Sequence, residues 1–75
     1  MKELLEYIAR SLVGDPSQVS VKETRSGGVV ILELRVSPED MGRVIGRNGR
    51  IANSIRSLLR VAAARHGVRV ELDIL

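Results

Sequence analysis

Seventy-five residues, 44% of them hydrophobic, can build one small core and leave no room for a second. With no cysteine the chain has neither a disulfide framework nor a thiolate metal site, and no apolar run approaches the roughly 20 residues that cross a bilayer. The formal charge is only +3, so the placement of the charges says more than their sum.

Residues 2–13 have helical periodicity. Leu4, Leu5, Ile8, Leu12 and Val13 share one face, while Lys2, Glu6, Arg10 and Ser11 fall away from it. Gly14 in the left-handed conformation, followed by Asp15-Pro16, is expected to stop this helix. Glu3 and Glu6 stand where a signal peptide carries a basic start, and a soluble, cytoplasmic protein is expected. Tyr7, the only aromatic residue, is expected at the rim of the fold and not as a platform for bases.

Residues 18–25 alternate around Val19 and Val21 and then turn polar. Ser26-Gly27-Gly28 is a hairpin signal. Residues 29–36 make the strongest strand, with Val30, Leu32, Leu34 and Val36 on one face and Glu33 and Arg35 on the other. Ser37-Pro38-Glu39-Asp40 has the make-up of a helix start: Ser37 as N-cap, Pro38 at the first helical position, acids at the positive dipole end.

The short helix so begun runs over 38–45, with Met41, Val44 and Ile45 apolar. Gly46 to Gly49 interrupts it. A longer helix follows over 50–66, turning Ile51, Ile55, Leu58, Leu59 and Ala62 inward with Ala52 and Ala63 beside them; His66 falls on the inward side near its end, where the dipole favours it. Gly67 closes the helix, and Val68, Val70, Leu72 and Ile74 alternate with Arg69, Glu71 and Asp73 as a last strand. The order is α-β-β-α-α-β. Three strands packed by one face on three helices give a two-layer α+β fold, with residues 1–75 as one domain.

The charges are segregated. Between Met41 and Val70 lie seven arginines, at 43, 47, 50, 56, 60, 65 and 69, and no acid. A basic surface of this kind suits a polyanion. In its midst stands Gly46-Arg47-Asn48-Gly49, whose two glycines let backbone N–H groups come close to a phosphate. Arg43, Arg47 and Arg50 raise the local potential, and the amino end of the long helix points its dipole at the same place.

Other phosphate motifs fail on the residues. No Gly-x-x-x-x-Gly-Lys-Ser/Thr is present, and the spacing of Gly42, Gly46 and Gly49 is not Gly-x-Gly-x-x-Gly. Arg50, Asn53 and Arg56 recur at helical spacing, as in a DNA-reading helix, but such folds do not spend three segments on a sheet. RNA readers that stack bases on strand aromatics are excluded by the absence of Phe and Trp. One histidine, no cysteine and no acid in the basic window supply no parts for catalysis, a cofactor or a metal site.

Val44-Ile45-Gly46-Arg47-Asn48-Gly49-Arg50-Ile51, set between two helices in an α-β-β-α-α-β chain, resembles the loop of a type II KH domain. The helix-first order, Asp15-Pro16 before the first strand and Gly-Arg-Ile-Ala after the loop extend the likeness to the small stand-alone KH proteins of bacteria, the KhpA family. The resemblance implies that Gly46, Arg47, Asn48 and Gly49 grip the backbone of single-stranded RNA, flanked by Arg43 and Arg50. It also implies that Val44 and Ile45, with Ile51 and Ile55, wall an aliphatic groove for about four bases, floored by Val30 or Leu32. An RNA chaperone or post-transcriptional regulator is the expected role; single-stranded DNA stays open as a ligand. On these terms Gly46→Asp with Gly49→Asp should leave the fold intact and abolish RNA binding.

A second surface is expected on the outer side of the long helix, where Ser54, Ser57, Val61 and Ala64 cluster at about 100° per residue. Small residues around one valine suit helix-on-helix packing, and the resemblance implies a homodimer or a pairing with a larger KH-containing protein. The alternative function is therefore a dimerising adaptor with weak RNA contact of its own, and Val61→Asp should yield a folded monomer.

Overall fold

A computed structural model describes residues 1–75. The first helix, α1 (Lys2–Leu12), forms where the periodicity places it, but its buried stripe is Leu5 and Ala9. Ile8 and Val13 are half-buried, while Leu4 and Leu12 stay at the surface, so the packed face is narrower than the apolar one and includes an alanine that hydropathy underweights. Its end also differs from expectation. Val13, in extended conformation, breaks the helix, and Gly14 has no positive φ.

One turn of 3-10 helix (Pro16–Gln18), begun by the Asp15 carboxylate accepting from the Ser17 N–H, leads into β1 (Ser20–Ser26). A two-residue Gly27-Gly28 turn then returns the chain as β2 (Val29–Arg35), antiparallel to β1 with Ser26 opposite Val29. The long last helix, α3 (Arg50–Arg65), carries the chain over the sheet to β3 (Arg69–Ile74), which pairs parallel to β2. The strand order is β1-β2-β3, so β3 is an edge. Gly67 closes α3 as expected, with the Val68 N–H donating to the Ala63 carbonyl and the Gly67 N–H to that of Ala64. His66, instead of facing inward, is exposed at this end of the helix.

The helices cover one face of the sheet. Val30, Leu32 and Leu34 of β2 meet Val19, Val21 and Leu72 from either side, and Leu5, Ala9, Ile55 and Leu59 close the cluster from above. Leu32 and Leu34 are wholly inaccessible. Truncating either to alanine costs about 2–5 kcal/mol, a large share of what 75 residues can offer. The stripe of α3 is rotated from the one read off the sequence: Ala52, Ile55, Leu59 and Ala63 are buried, whereas Leu58 is 55% exposed. Spacing of 3 and 4 residues admits both stripes, and Ala52 and Ala63 complete the buried one on either side of Ile55 and Leu59.

Candidate nucleic-acid interface

The short helix α2 spans only Met41–Ile45, preceded by one turn of 3-10 helix at Pro38–Asp40. Five residues cannot hold a helix by themselves, so its position depends on outside anchors. One is Val44, with no exposed surface. The other is Asp40, the one buried charged side chain, at 4% exposure. Ser37 does not cap with its hydroxyl; its carbonyl accepts the Asp40 N–H at 2.8 Å.

The Asp40 carboxylate joins its own helix to the connector after α1. It accepts the backbone N–H of Gly14 at 3.0 Å and that of Asp15 at 3.1 Å, and Arg43 Nη1 donates to it at 3.1 Å. The Gly14 N–H is the largest influence holding its pKa below the ordinary 3.8; burial opposes this, and the Asp15 N–H and the Arg43 charge reinforce it. Asp40 therefore acts through a partner 26 residues away, where the sequence suggests only an acid against a helix dipole.

At Gly46 the chain leaves α2 with φ 75° and ψ 173°, a conformation that a residue with a Cβ essentially does not enter. A Cβ here would also lie 2.6 Å from Ile51 Cγ1 and 2.9 Å from the Ile51 backbone nitrogen. Asn48 (φ 57°, ψ 26°) and Gly49 (φ 74°, ψ 14°) are both left-handed, and the Arg50 N–H returns to the Arg47 carbonyl. Arg47-Asn48-Gly49-Arg50 is thus a type I′ turn, for which Asn-Gly is the preferred central pair. Glycine spacing alone does not reveal this role for Asn48; the Asn-Gly dipeptide does.

The turn throws Arg47 and Arg50 outward, and neither has an acidic partner. No side chain caps α3, so its positive end opens onto the same loop. Of the expected groove walls, Ile45 is 37% exposed and Ile51 half-buried. Val44 and Ile55 belong to the interior, as do Val30 and Leu32, at 2% exposure or less, so these four support the site without lining it. Arg43, unlike Arg47 and Arg50, is paired with an acid, Asp40.

Beyond the loop, two adjoining hollows of about 240 and 400 Å³ lie between α3 and the free edge of β3. They share Arg60, Val70 and Glu71. The Arg69 N–H pairs with the Gly28 carbonyl and the Leu75 N–H with that of Leu34, so alternation turns the backbone groups of Val70 and Leu72 to the free edge. Arg56 Nη2 reaches one of them, the Leu72 carbonyl, at 3.4 Å. Arg56 and Arg60 stand one helical turn apart in the sequence, and only the packing puts them opposite an open strand.

The outer side of α3 is exposed at Ser54, Ser57, Val61 and Ala64, as expected. Its apolar centre is displaced, however. Leu58, Val61 and Ala62 meet Leu4 of α1 and the stem of Arg65 around a hollow of about 260 Å³. No helix is long and apolar enough to cross a membrane.

The description KhpA/KhpB, KH domain, fits residues 2–74. The RNA-binding proteins KhpA of Clostridium acetobutylicum and of Clostridium perfringens are each 51% identical to this chain over 75 residues, 100% of both partners. That of Treponema pallidum is 46% identical over 99% of this chain and 92% of its own. Among solved structures, Era of Aquifex aeolicus bound to GDP.AlF4- aligns with a TM-score of 0.65 at 19% identity, over 97% of this chain and 28% of that one. Era in complex with MgGDPNP and nucleotides 1506-1542 of 16S ribosomal RNA aligns at 0.59 over the same shares. These two likenesses concern the fold. Matched from residue 2 to residue 74, and half identical to relatives of its own length, the chain belongs to the KhpA/KhpB family of KH domains.

Proposed function

We propose that this protein binds short single-stranded RNA without chemistry, as an RNA chaperone or post-transcriptional regulator. The observation that carries this reading is the type I′ turn of Arg47-Asn48-Gly49-Arg50, which presents two unpaired arginines at the uncapped end of α3. Gly46, Arg47, Asn48, Gly49 and Arg50 take the sugar–phosphate backbone, and Ile45 and Ile51 begin the apolar wall against which bases lie. Arg43 and Val44 hold the loop from behind. Family membership adds support, since relatives half identical to this chain are named RNA-binding proteins.

Gly49→Asp tests the clamp. Asp tolerates the left-handed conformation, and the nearest atom to a Cβ there is Asn53 Nδ2 at 3.9 Å, so the fold accepts the change at a cost of about 1 kcal/mol. Its carboxylate would face the phosphates. The variant should stay folded by circular dichroism and lose about tenfold or more in RNA affinity, the equivalent of ~1.4 kcal/mol. A folded Gly49→Asp protein with wild-type affinity for RNA rules the clamp out, and parallel titration with DNA of the same sequence separates RNA from single-stranded DNA.

The apolar hollow around Leu4, Leu58 and Val61, whose side chains are 40%, 55% and 58% exposed, favours a second reading in which the protein is an adaptor. This face would pair with a second copy or with a larger KH-containing protein. Leu58 is the larger of the two apolar side chains that α3 exposes at the hollow, and it lies outside the buried stripe. Leu58→Asp should give a folded protein of monomer mass by sedimentation, against a larger mass for the parent. Equal masses for the two proteins count against this face as a self-association surface.

A further inference from the structure

Asp40 and Gly14, which meet Arg43 behind the loop, have no part in the clamp as described. Asp40 lies at the amino end of α2, and the clamp loop leaves its other end at Gly46. α2 is one rigid turn and a fraction, about 7.5 Å long, so whatever orients one end orients the other. Three donors converge on the Asp40 carboxylate, two of them from the connector after α1. Gly14 belongs to the same node from the other side, because a Cβ there would run into Nη1 of Arg43. No other ion pair in the molecule involves a buried partner.

We infer that Asp40 and Arg43 are positioning residues for the RNA clamp, a latch that ties α2 to the Gly14–Asp15 connector and so sets the approach of Gly46 to α3. Arg43 then serves RNA binding without touching RNA. The inference rests on the clamp reading of the loop and adds the element that aims it.

Charge alone and the latch predict opposite signs. Removing an acid near a polyanion site strengthens binding by electrostatics, whereas breaking the latch weakens it. Asp40→Asn keeps the shape but offers an NH₂ where the carboxylate took a backbone N–H. One part-buried donor is left unmet, and about tenfold weaker RNA binding is expected. Glu39→Gln removes the same charge one residue away, on an exposed side chain, and isolates the electrostatic effect.

The measurement is the affinity of the full chain for a short single-stranded RNA across a salt series, with amide exchange as the structural check. For Asp40→Asn, weaker binding is expected together with faster exchange at Gly46 to Gly49 and unchanged exchange at Leu32. Glu39→Gln should bind no more weakly than the parent. Arg43→Ala, an exposed site that does not threaten folding, should also weaken binding while leaving the slope of log affinity against log salt unchanged. A direct phosphate contact would instead lower that slope by about 0.7.

A folded Asp40→Asn that binds as tightly as the parent, or more tightly, overturns the latch. So does an Arg43→Ala protein with unaltered affinity or a reduced slope. If Asp40→Asn does not fold, Arg43→Ala decides alone. Gly49→Asp distinguishes the two failures: a clamp disproved there removes the premise, while a clamp upheld with an indifferent Arg43 removes only the latch.

Discussion

Gly46→Asp is expected to disrupt the corner between α2 and α3 and to cost a large part of the stability of the fold. Two independent penalties meet at this residue. Its φ of 75° with ψ of 173° is open only to glycine, and holding another residue there costs on the order of 1–3 kcal/mol. A Cβ must also be placed 2.6 Å from Ile51 Cγ1 and 2.9 Å from the Ile51 nitrogen. The side chain can shift, but the nitrogen belongs to the first turn of α3 and cannot move without the helix, which adds about 1–3 kcal/mol of overpacking.

Against the ~4–11 kcal/mol available to a chain of this length, the sum is severe. Urea unfolding should show a midpoint far below that of Gly49→Asp, where only the backbone penalty applies. A Gly46→Asp protein with the parent midpoint would show that the corner yields more easily than its geometry implies. The paired substitution of both glycines, attractive from the sequence, therefore confounds lost binding with lost structure, and Gly49 is the site at which binding can be tested alone.

Reversing the two loop arginines should have the largest effect on RNA. Arg47 and Arg50 are exposed and lack acidic partners, so Arg47→Glu with Arg50→Glu breaks no ion pair and leaves the core untouched. On the proposed clamp, two phosphate contacts are lost and two repulsions gained. The salt slope should fall by about 1.4, and affinity at low salt by about 100-fold or more. Anisotropy of a labelled RNA from about 50 to 200 mM salt reads both quantities. A double variant with the parent slope would move the phosphate contacts elsewhere, first to Arg56 and Arg60 beside the open edge of β3.

Much of this architecture is legible in the chain itself. The strands announce themselves at Val30, Leu32 and Leu34 and again at Val70, Leu72 and Ile74, because a period of 2 has only one register that buries them. Gly27-Gly28 and Gly67 mark their turns through local backbone preference. Helix faces were less legible. Periodicity puts Leu4 and Leu58 on the packed faces and passes over Ala9, since spacing of 3 and 4 allows neighbouring stripes and hydropathy ranks an exposed leucine above a buried alanine. Ser37 looked like a cap and Asp40 like a dipole partner, since both roles are read from immediate neighbours.

By itself the sequence determined the element order, the acid-free basic window and the glycine loop inside it, all of which follow from residues close along the chain. Only the tertiary structure decided which face of α3 is buried, that β3 is an open edge facing Arg56 and Arg60, and that Asp40 is held by Gly14. Each of these joins groups far apart in sequence, and the energies that select them, close packing and the pairing of a buried charge, arise only once the chain has folded.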